Sequence, residues 1–234
     1  MPIYQLTESN IFPSPMLAGA DGLLAVGGDL SAERLLEAYR NGIFPWYSEG
    51  QPYLWWSPDP RMVLFPSKFK KYKNLSKLVF SKSFRVEIDG DFESVITNCA
   101  SVPRKGQEGE TWITSEMISA YLKLHQKGYA HSVEVYQSDK LVGGLYGISL
   151  GGSFFGESMF HYVTDASKVA LWHLVDLAIE LNFDMIDVQQ DTDHMRFMGA
   201  ETITRKDFIT LLARSVGKKD QVGNWGEINY KINK

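Results

Sequence analysis

Along the C-terminal three quarters of the chain, apolar and polar positions fall into two alternating periods. His131-Ser132-Val133-Glu134-Val135-Tyr136 has the period of two of a half-buried strand. Ser138-Asp139-Lys140 turns it into a second apolar run, Leu141 to Leu150, and Gly151-Gly152 turns that into a third, Ser153 to Phe160. Three strands joined by such short turns predict an antiparallel meander. Before it, Arg85 to Ile88 reads as a strand, Phe92 to Cys99 as a short helix, and Ser115 to Gln126 as a longer helix stopped by Gly128. After it, Asp165 or Ser167 is expected to cap a helix running to about Asn182. Phe183 to Gln189 then reads as a buried strand and Arg205 to Val216 as a last helix.

The first sixty residues follow neither period for long. Phe12-Pro13-Ser14-Pro15 is extended, because a residue before proline is pushed away from helix. Leu23 to Gly28 is a short apolar run. One helix is predicted, with Ser31 as its N-cap, Leu35, Leu36 and Tyr39 at helical spacing, and Asn41-Gly42 as its stop. Ile43 to Tyr47 and Leu54 to Arg61 then form an aromatic and proline cluster without a period. The expectation is a small irregular N-terminal domain over 1–61 and an α+β domain over 62–234 with a mixed, largely antiparallel sheet. The order of elements in the second is that of the N-acetyltransferase fold, an analogy that leaves function open.

Composition narrows the class. The 234 residues are 44% hydrophobic and 22% charged, which excludes a disordered or fibrous chain. No apolar run reaches the ~18 residues a membrane helix needs, and the N-terminus lacks the basic and apolar regions of a signal peptide. The single cysteine, Cys99, permits no intrachain disulfide and is expected to be a small buried hydrophobe. A cytoplasmic setting is the default expectation. A net charge of −4 argues against a general nucleic-acid binder, yet the charge is unevenly placed. Residues 61–86 hold Arg61, Lys68, Lys70, Lys71, Lys73, Lys77, Lys82 and Arg85 with no acidic residue, interleaved with Phe69, Tyr72 and Phe80. Such a block can neutralise phosphates, or it can be a solvated face.

Few residues suit chemistry. Asp187 and Gln189 stand two apart on the predicted strand Phe183 to Gln189, so both are expected on one face. A carboxylate beside an amide could accept or position an amine, or the Asp could merely cap a turn. Glu157, among apolar residues of Phe155 to Phe160, must be paired or functional, and Lys168 or Arg196 are its candidate ion-pair partners. The five histidines show no metal-ligand spacing. Gly27-Gly28-Asp29 lacks the Lys-Ser/Thr of a phosphate loop.

Taken in order, several segments resemble the leucyl/phenylalanyl-tRNA–protein transferase family. They include Phe12-Pro13-Ser14-Pro15, Gly22 to Leu30, Gly42-Ile43-Phe44-Pro45-Trp46 and Trp55-Trp56-Ser57-Pro58-Asp59-Pro60-Arg61. Thr111-Trp112-Ile113-Thr114, His131 to Val135, Leu141 to Gly147, Gly156-Glu157-Ser158-Met159-Phe160 and Ile186-Asp187-Val188-Gln189 complete the set. Together they span about residues 12 to 213, and the tail beyond Gly217 matches nothing in the pattern. The resemblance implies an enzyme that moves leucine or phenylalanine, less readily methionine, from charged tRNA to proteins beginning with Arg or Lys. Proteins so modified would enter N-end rule degradation. It implies a small N-terminal domain on an N-acetyltransferase-like domain, with no metal or nucleotide cofactor. By position, Asp187 and Gln189 match the catalytic pair, with the Gln189 carbonyl accepting the amine proton and Asp187 polarising the amide, and Glu157 matches a neighbouring carboxylate. Trp46 and Trp112 match rings that hold the terminal adenosine. Leu145, Phe154 and Ile186 match the aminoacyl pocket, and Lys68, Lys70, Lys71, Lys73, Lys77, Lys82 and Arg85 are the candidate tRNA contacts.

Two other functions fit the same composition. An acyl-CoA N-acyltransferase needs a glycine-rich pyrophosphate turn, and the segment from Gly156 to Lys168 contains no second glycine. A non-catalytic tRNA-binding module would account for the basic block and the tryptophans but not for Glu157 in a central strand.

Overall fold

The computed structural model describes residues 3–81, 83–102 and 112–228. Lys82 and Thr111 lie outside the described residues.

The N-terminal segment builds a four-stranded sheet from very short strands. These are β1 (Tyr4–Leu6), β2 (Leu23–Gly27), β3 (Phe44–Pro45) and β4 (Leu54–Trp56), ordered β1-β2-β4-β3. Strands of two to five residues are too short to show a period, so the sequence pattern passes over them. Helix α1 (Ala32–Arg40) begins where expected: the Ser31 hydroxyl accepts from the Arg34 N–H at 3.4 Å, satisfying one orphan donor. It ends at Asn41, and Gly42 takes a φ of +73°, a conformation a side chain would resist.

The larger sheet has seven strands: β5 (Arg61–Leu64), β6 (Arg85–Ile88), β7 (Ala130–Gln137), β8 (Lys140–Leu150), β9 (Ser153–His161), β10 (Met185–Gln189) and β11 (Glu201–Ile203). Their order is β11-β5-β10-β9-β8-β7-β6. The meander β7-β8-β9 is antiparallel and only β9 and β10 run parallel, so the sheet is mixed and largely antiparallel. Glu157 therefore lies on the middle strand. The helices are α2 (Lys73–Val79), α3 (Phe92–Ser101), α4 (Ser115–Gln126), α5 (Ala166–Glu180), α6 (Asp193–Met198) and α7 (Arg205–Ser215).

Alternation along the strands divides the core in two. Tyr146, Ile148 and Phe155 face α3 and α4, whose Val95, Ile96, Cys99, Met117 and Tyr121 are buried with them and with the N-terminal segment. Leu145, Phe154 and Ile186 face the other way, towards Val169, Trp172 and Leu174 of α5. Helix α5 is apolar nearly all round, with β7, β8 and β9, α2 and the turn at Pro66–Lys68 packed on it. Its start differs from expectation. Asp165 occupies the N-cap position with a φ of 67° and makes no cap bond; its carboxylate instead meets Lys168 Nζ at 2.6 Å.

Elements that lack a clear period were missed: β5, α2, α6 and β11. Arg61 begins β5, and the apolar cluster runs unbroken from the N-terminal residues into Val63 and Phe155. The tail also packs. Trp225 stacks on His131 with ring centroids 3.7 Å apart, and its backbone N–H donates to Asp89, which also meets His131 Nδ1 at 2.8 Å.

Candidate active site

Strands β9 and β10 pair over only three residues, Met185–Asp187 against Ser153–Phe155. Past that point the ladder stops and the strands diverge. Gly156 to Met159 on one side and Val188 to Gln190 on the other then become the walls of a cavity of about 400 Å³.

One end of the cavity is apolar. Leu145, Phe154 and Ile186 line it, joined by Met159, Leu171, Leu174, Val188 and Met195. Leu171 and Leu174 come from α5, which the sequence pattern marks as a helix, and Met195 from α6, which it does not mark at all. Trp46 and Trp112 also line it, with Phe44 and Pro45. Trp46 is held by an edge-on contact with Trp56, at 5.7 Å between centroids, and by the Trp56 indole N–H donating to the Trp46 carbonyl at 2.7 Å.

The polar part of the cavity is built from Glu157 and Gln189. Burial pushes the Glu157 carboxyl up to about 7, and the negative charge of Asp187 adds to this; hydroxyl hydrogen bonds from Tyr39 and Tyr121 and the Arg61 charge oppose it. The expected partners Lys168 and Arg196 are elsewhere, on Asp165 and Asp191. Glu157 instead receives Tyr39 from α1 at 2.7 Å and Tyr121 from α4 at 3.0 Å, and those two hydroxyls also touch each other. Both phenols are buried, and burial, reinforced by the Glu157 charge, holds them protonated well above the ordinary tyrosine range. Tyr39 sits at helical spacing from Leu35 and reads as core, so no local signal marks it.

Asp187 and Gln189 do not share a face in the simple sense. A bulge falls between them and Gln189 takes a φ of 56°, which turns its side chain into the cavity. Asp187 points beneath, out of the cavity lining. Its two oxygens bind Arg61 at 2.8 and 2.6 Å, with both side chains wholly buried. Oδ1 also accepts the backbone N–H of Gln189 at 3.0 Å. Asp187 thus holds the Gln189 backbone, while the Gln189 amide N–H donates to Glu157 Oε1 at 3.2 Å. The side-chain amide's hydrogen-bond partner is Glu157, where the resemblance implied Asp187. Arg61 belongs to this buried pair, with Phe44 and Phe208 against its guanidinium, and not to a phosphate-facing surface.

The other described members of the basic block, Lys68, Lys70, Lys71, Lys73, Lys77 and Arg85, are exposed but spread over several elements. Lys68 pairs with Glu201, Lys71 with Asp176 and Arg85 with Glu87 and Asp139. Lys70, Lys73 and Lys77 are exposed on and beside α2. Among the described residues no group of three or more His, Cys, Asp or Glu side chains gathers as a metal cage, and no helix is long and apolar enough to cross a membrane.

The chain is similar to known proteins. Residues 63–213 match the leucyl/phenylalanyl-tRNA protein transferase family model, and residues 28–59 match the model of that family's N-terminal domain. The leucyl/phenylalanyl-tRNA–protein transferase of Syntrophobacter fumaroxidans is 54% identical over 96% of this chain and 96% of its own length. The protein of that name from Syntrophus aciditrophicus is 52% identical, over 96% and 94%. Among solved structures, a GCN5-related N-acetyltransferase from Kribbella flavida covers 71% of this chain and 58% of its own at 9% identity, with a TM-score of 0.39. Two family models covering most of the chain, with relatives about half identical end to end, establish that it belongs to the leucyl/phenylalanyl-tRNA–protein transferase family.

Proposed function

We propose that this protein takes leucine or phenylalanine, and less readily methionine, from charged tRNA and joins it to the N-terminal Arg or Lys of acceptor proteins, marking them for N-end rule degradation in the cytoplasm. Membership of the family makes it an aminoacyltransferase with tRNA and protein substrates. The observation that carries the finer reading is the single cavity in which an apolar end, two tryptophans and a carboxylate–amide pair meet. Leu145, Phe154 and Ile186 take the aminoacyl side chain, and burial of each methylene contributes about 0.8 kcal/mol. Trp46 and Trp112 take the terminal adenosine by stacking, a contact of about 1–3 kcal/mol per base. The exposed lysines Lys68, Lys70, Lys71, Lys73 and Lys77, with Arg85, neutralise tRNA phosphates.

Aminolysis of an ester requires an uncharged amine held near the carbonyl. The Gln189 carbonyl oxygen, fixed by the amide's bond to Glu157, receives a hydrogen bond from that amine. Asp187 acts through Gln189 as a positioning residue.

The test is to mix labelled leucyl-tRNA with an Arg-starting peptide, with and without the protein. Label should pass to the peptide only with the protein and only when the peptide begins with Arg or Lys. A peptide that stays unlabelled while the protein is folded overturns the reading.

A further inference from the structure

The hydroxyls of Tyr39 and Tyr121 and the carboxylate of Glu157 form a closed ring of three contacts. Tyr39 meets Tyr121, Tyr39 meets Oε1 and Tyr121 meets Oε2. Each contact holds one hydrogen. With Glu157 ionised, the two phenols supply only two, and one edge of the ring brings two oxygens together with none between them. With Glu157 protonated, the third hydrogen completes the ring. The arrangement therefore accommodates one more proton than an ionised carboxylate provides. A carboxylate offers about four acceptor positions. Three are taken, by the two phenols and by Gln189 Nε2, so one remains for a donor in the cavity that Glu157 lines.

We propose that this ring is the proton acceptor of the transfer reaction, taking a proton at Glu157 from the attacking amine and returning it to the ribose oxygen that leaves. The step rests on the transferase reading above. As the amine nitrogen bonds to the ester carbon, its proton passes to Glu157. As the ester C–O bond breaks, the protonated carboxyl donates to the departing oxygen. An N–H and an ester C–O are exchanged for an amide C–N and a ribose O–H, Glu157 returns to its starting state, and no co-reactant is needed. Gln189 cannot hold this proton, because an amide carbonyl is far too weak a base at neutral pH. Asp187 is committed to Arg61 and lies outside the cavity lining. The charged and titratable groups facing Glu157 are Tyr39 on α1, Tyr121 on α4, Tyr146 on β8, Arg61 on β5 and Asp187 on β10, with His194 of α6 also lining the cavity.

The experiment is a pH profile of single-turnover transfer at saturating charged tRNA for the wild type, Tyr39→Phe, Tyr121→Phe and Glu157→Gln. The wild type should lose rate on acidification through about 7. Removing either phenol removes a donor to the ionised form, so each Phe variant should move that limb up by about one unit. The acceptor amine's own titration cannot move with these substitutions. Glu157→Gln should abolish the limb and slow transfer by about a hundredfold or more. Infrared titration of the folded wild type gives a readout independent of turnover. A protonated-carboxyl band absent from Glu157→Gln but present in Glu134→Gln should vanish through the same pH. An unmoved limb in both Phe variants, or a Glu157 band already gone in mildly acidic solution, overturns the proposal. Wild-type enzyme that labels no peptide at any pH sinks the transferase reading itself.

Discussion

Arg61 grips Asp187 with two hydrogen bonds, at 2.8 and 2.6 Å, across 126 positions of sequence and with neither side chain reaching solvent. That pair ties β5 to β10 at the point where β10 bulges and turns Gln189 into the cavity. Removing one partner of a buried ion pair leaves the other charge uncompensated, at a cost of about 3–5 kcal/mol. Asp187→Ala and Arg61→Ala should each lower Tm by on the order of 10 °C for a chain of this length. Both should also slow transfer by about a hundredfold or more by freeing Gln189. Asp187→Asn, which keeps the shape and one acceptor, should retain more activity than Asp187→Ala. Thermal unfolding beside single-turnover transfer checks this. An Asp187→Ala enzyme that melts and transfers like the wild type removes Asp187 from the site.

The basic segment predicts an unequal response. Lys68 and Lys71 have acidic neighbours, whereas Lys70, Lys73 and Lys77 are exposed on and around α2. Reversing Lys70, Lys73 and Lys77 to Glu should raise KM for charged tRNA and flatten the dependence of tRNA affinity on salt, because fewer counterions are released. An unchanged salt slope makes the segment an ordinary solvated face.

The apolar end of the cavity predicts selectivity by size. Leucine should be transferred in preference to valine by about tenfold, the usual worth of a missing methylene in a pocket. Leu145→Trp fills the space between Phe154 and Ile186 and should depress phenylalanine transfer more than it weakens binding of uncharged tRNA. Equal losses would make Leu145 a core residue alone.

Glu134 predicts a pH effect on stability separate from catalysis. Burial pushes its carboxyl up to about 7, against the Ser132 hydroxyl and backbone N–H groups that favour the charged form. Because the folded value lies above the unfolded one, the folded state binds more protons between about 4.5 and 7. The sign follows: Glu134 favours folding fully below its unfolded value, and this contribution is lost as pH rises through about 7. Glu134→Gln should therefore raise Tm relative to the wild type above neutrality, and the advantage should shrink as the solution is made acid. A Tm difference that ignores pH rules this out.

Much of the fold was legible in the chain because its signals are local. Period-two alternation marks β7, the glycine pair at 151–152 marks the β8–β9 turn, and Ser31 with Gly42 brackets α1. Five residues named from the family resemblance, Trp46, Trp112, Leu145, Phe154 and Ile186, line one cavity in the structure, whereas Leu171, Leu174 and Met195 beside them carried no such mark. The sequence by itself therefore determined the elements and the kinds of side chain a site would use. Only the tertiary structure decided which of them meet. Whether Asp187 faces a substrate or an arginine depends on a one-residue bulge and on β5 lying beside β10, a pairing with no local signature. Tyr39 and Tyr121 lie on separate predicted helices, 82 positions apart, and only packing of α1 and α4 brings both hydroxyls to Glu157. Hydrophobic periodicity records which side of an element is buried; it holds no record of which polar groups meet once burial has occurred, and in this protein those meetings set the charge and reach of the site.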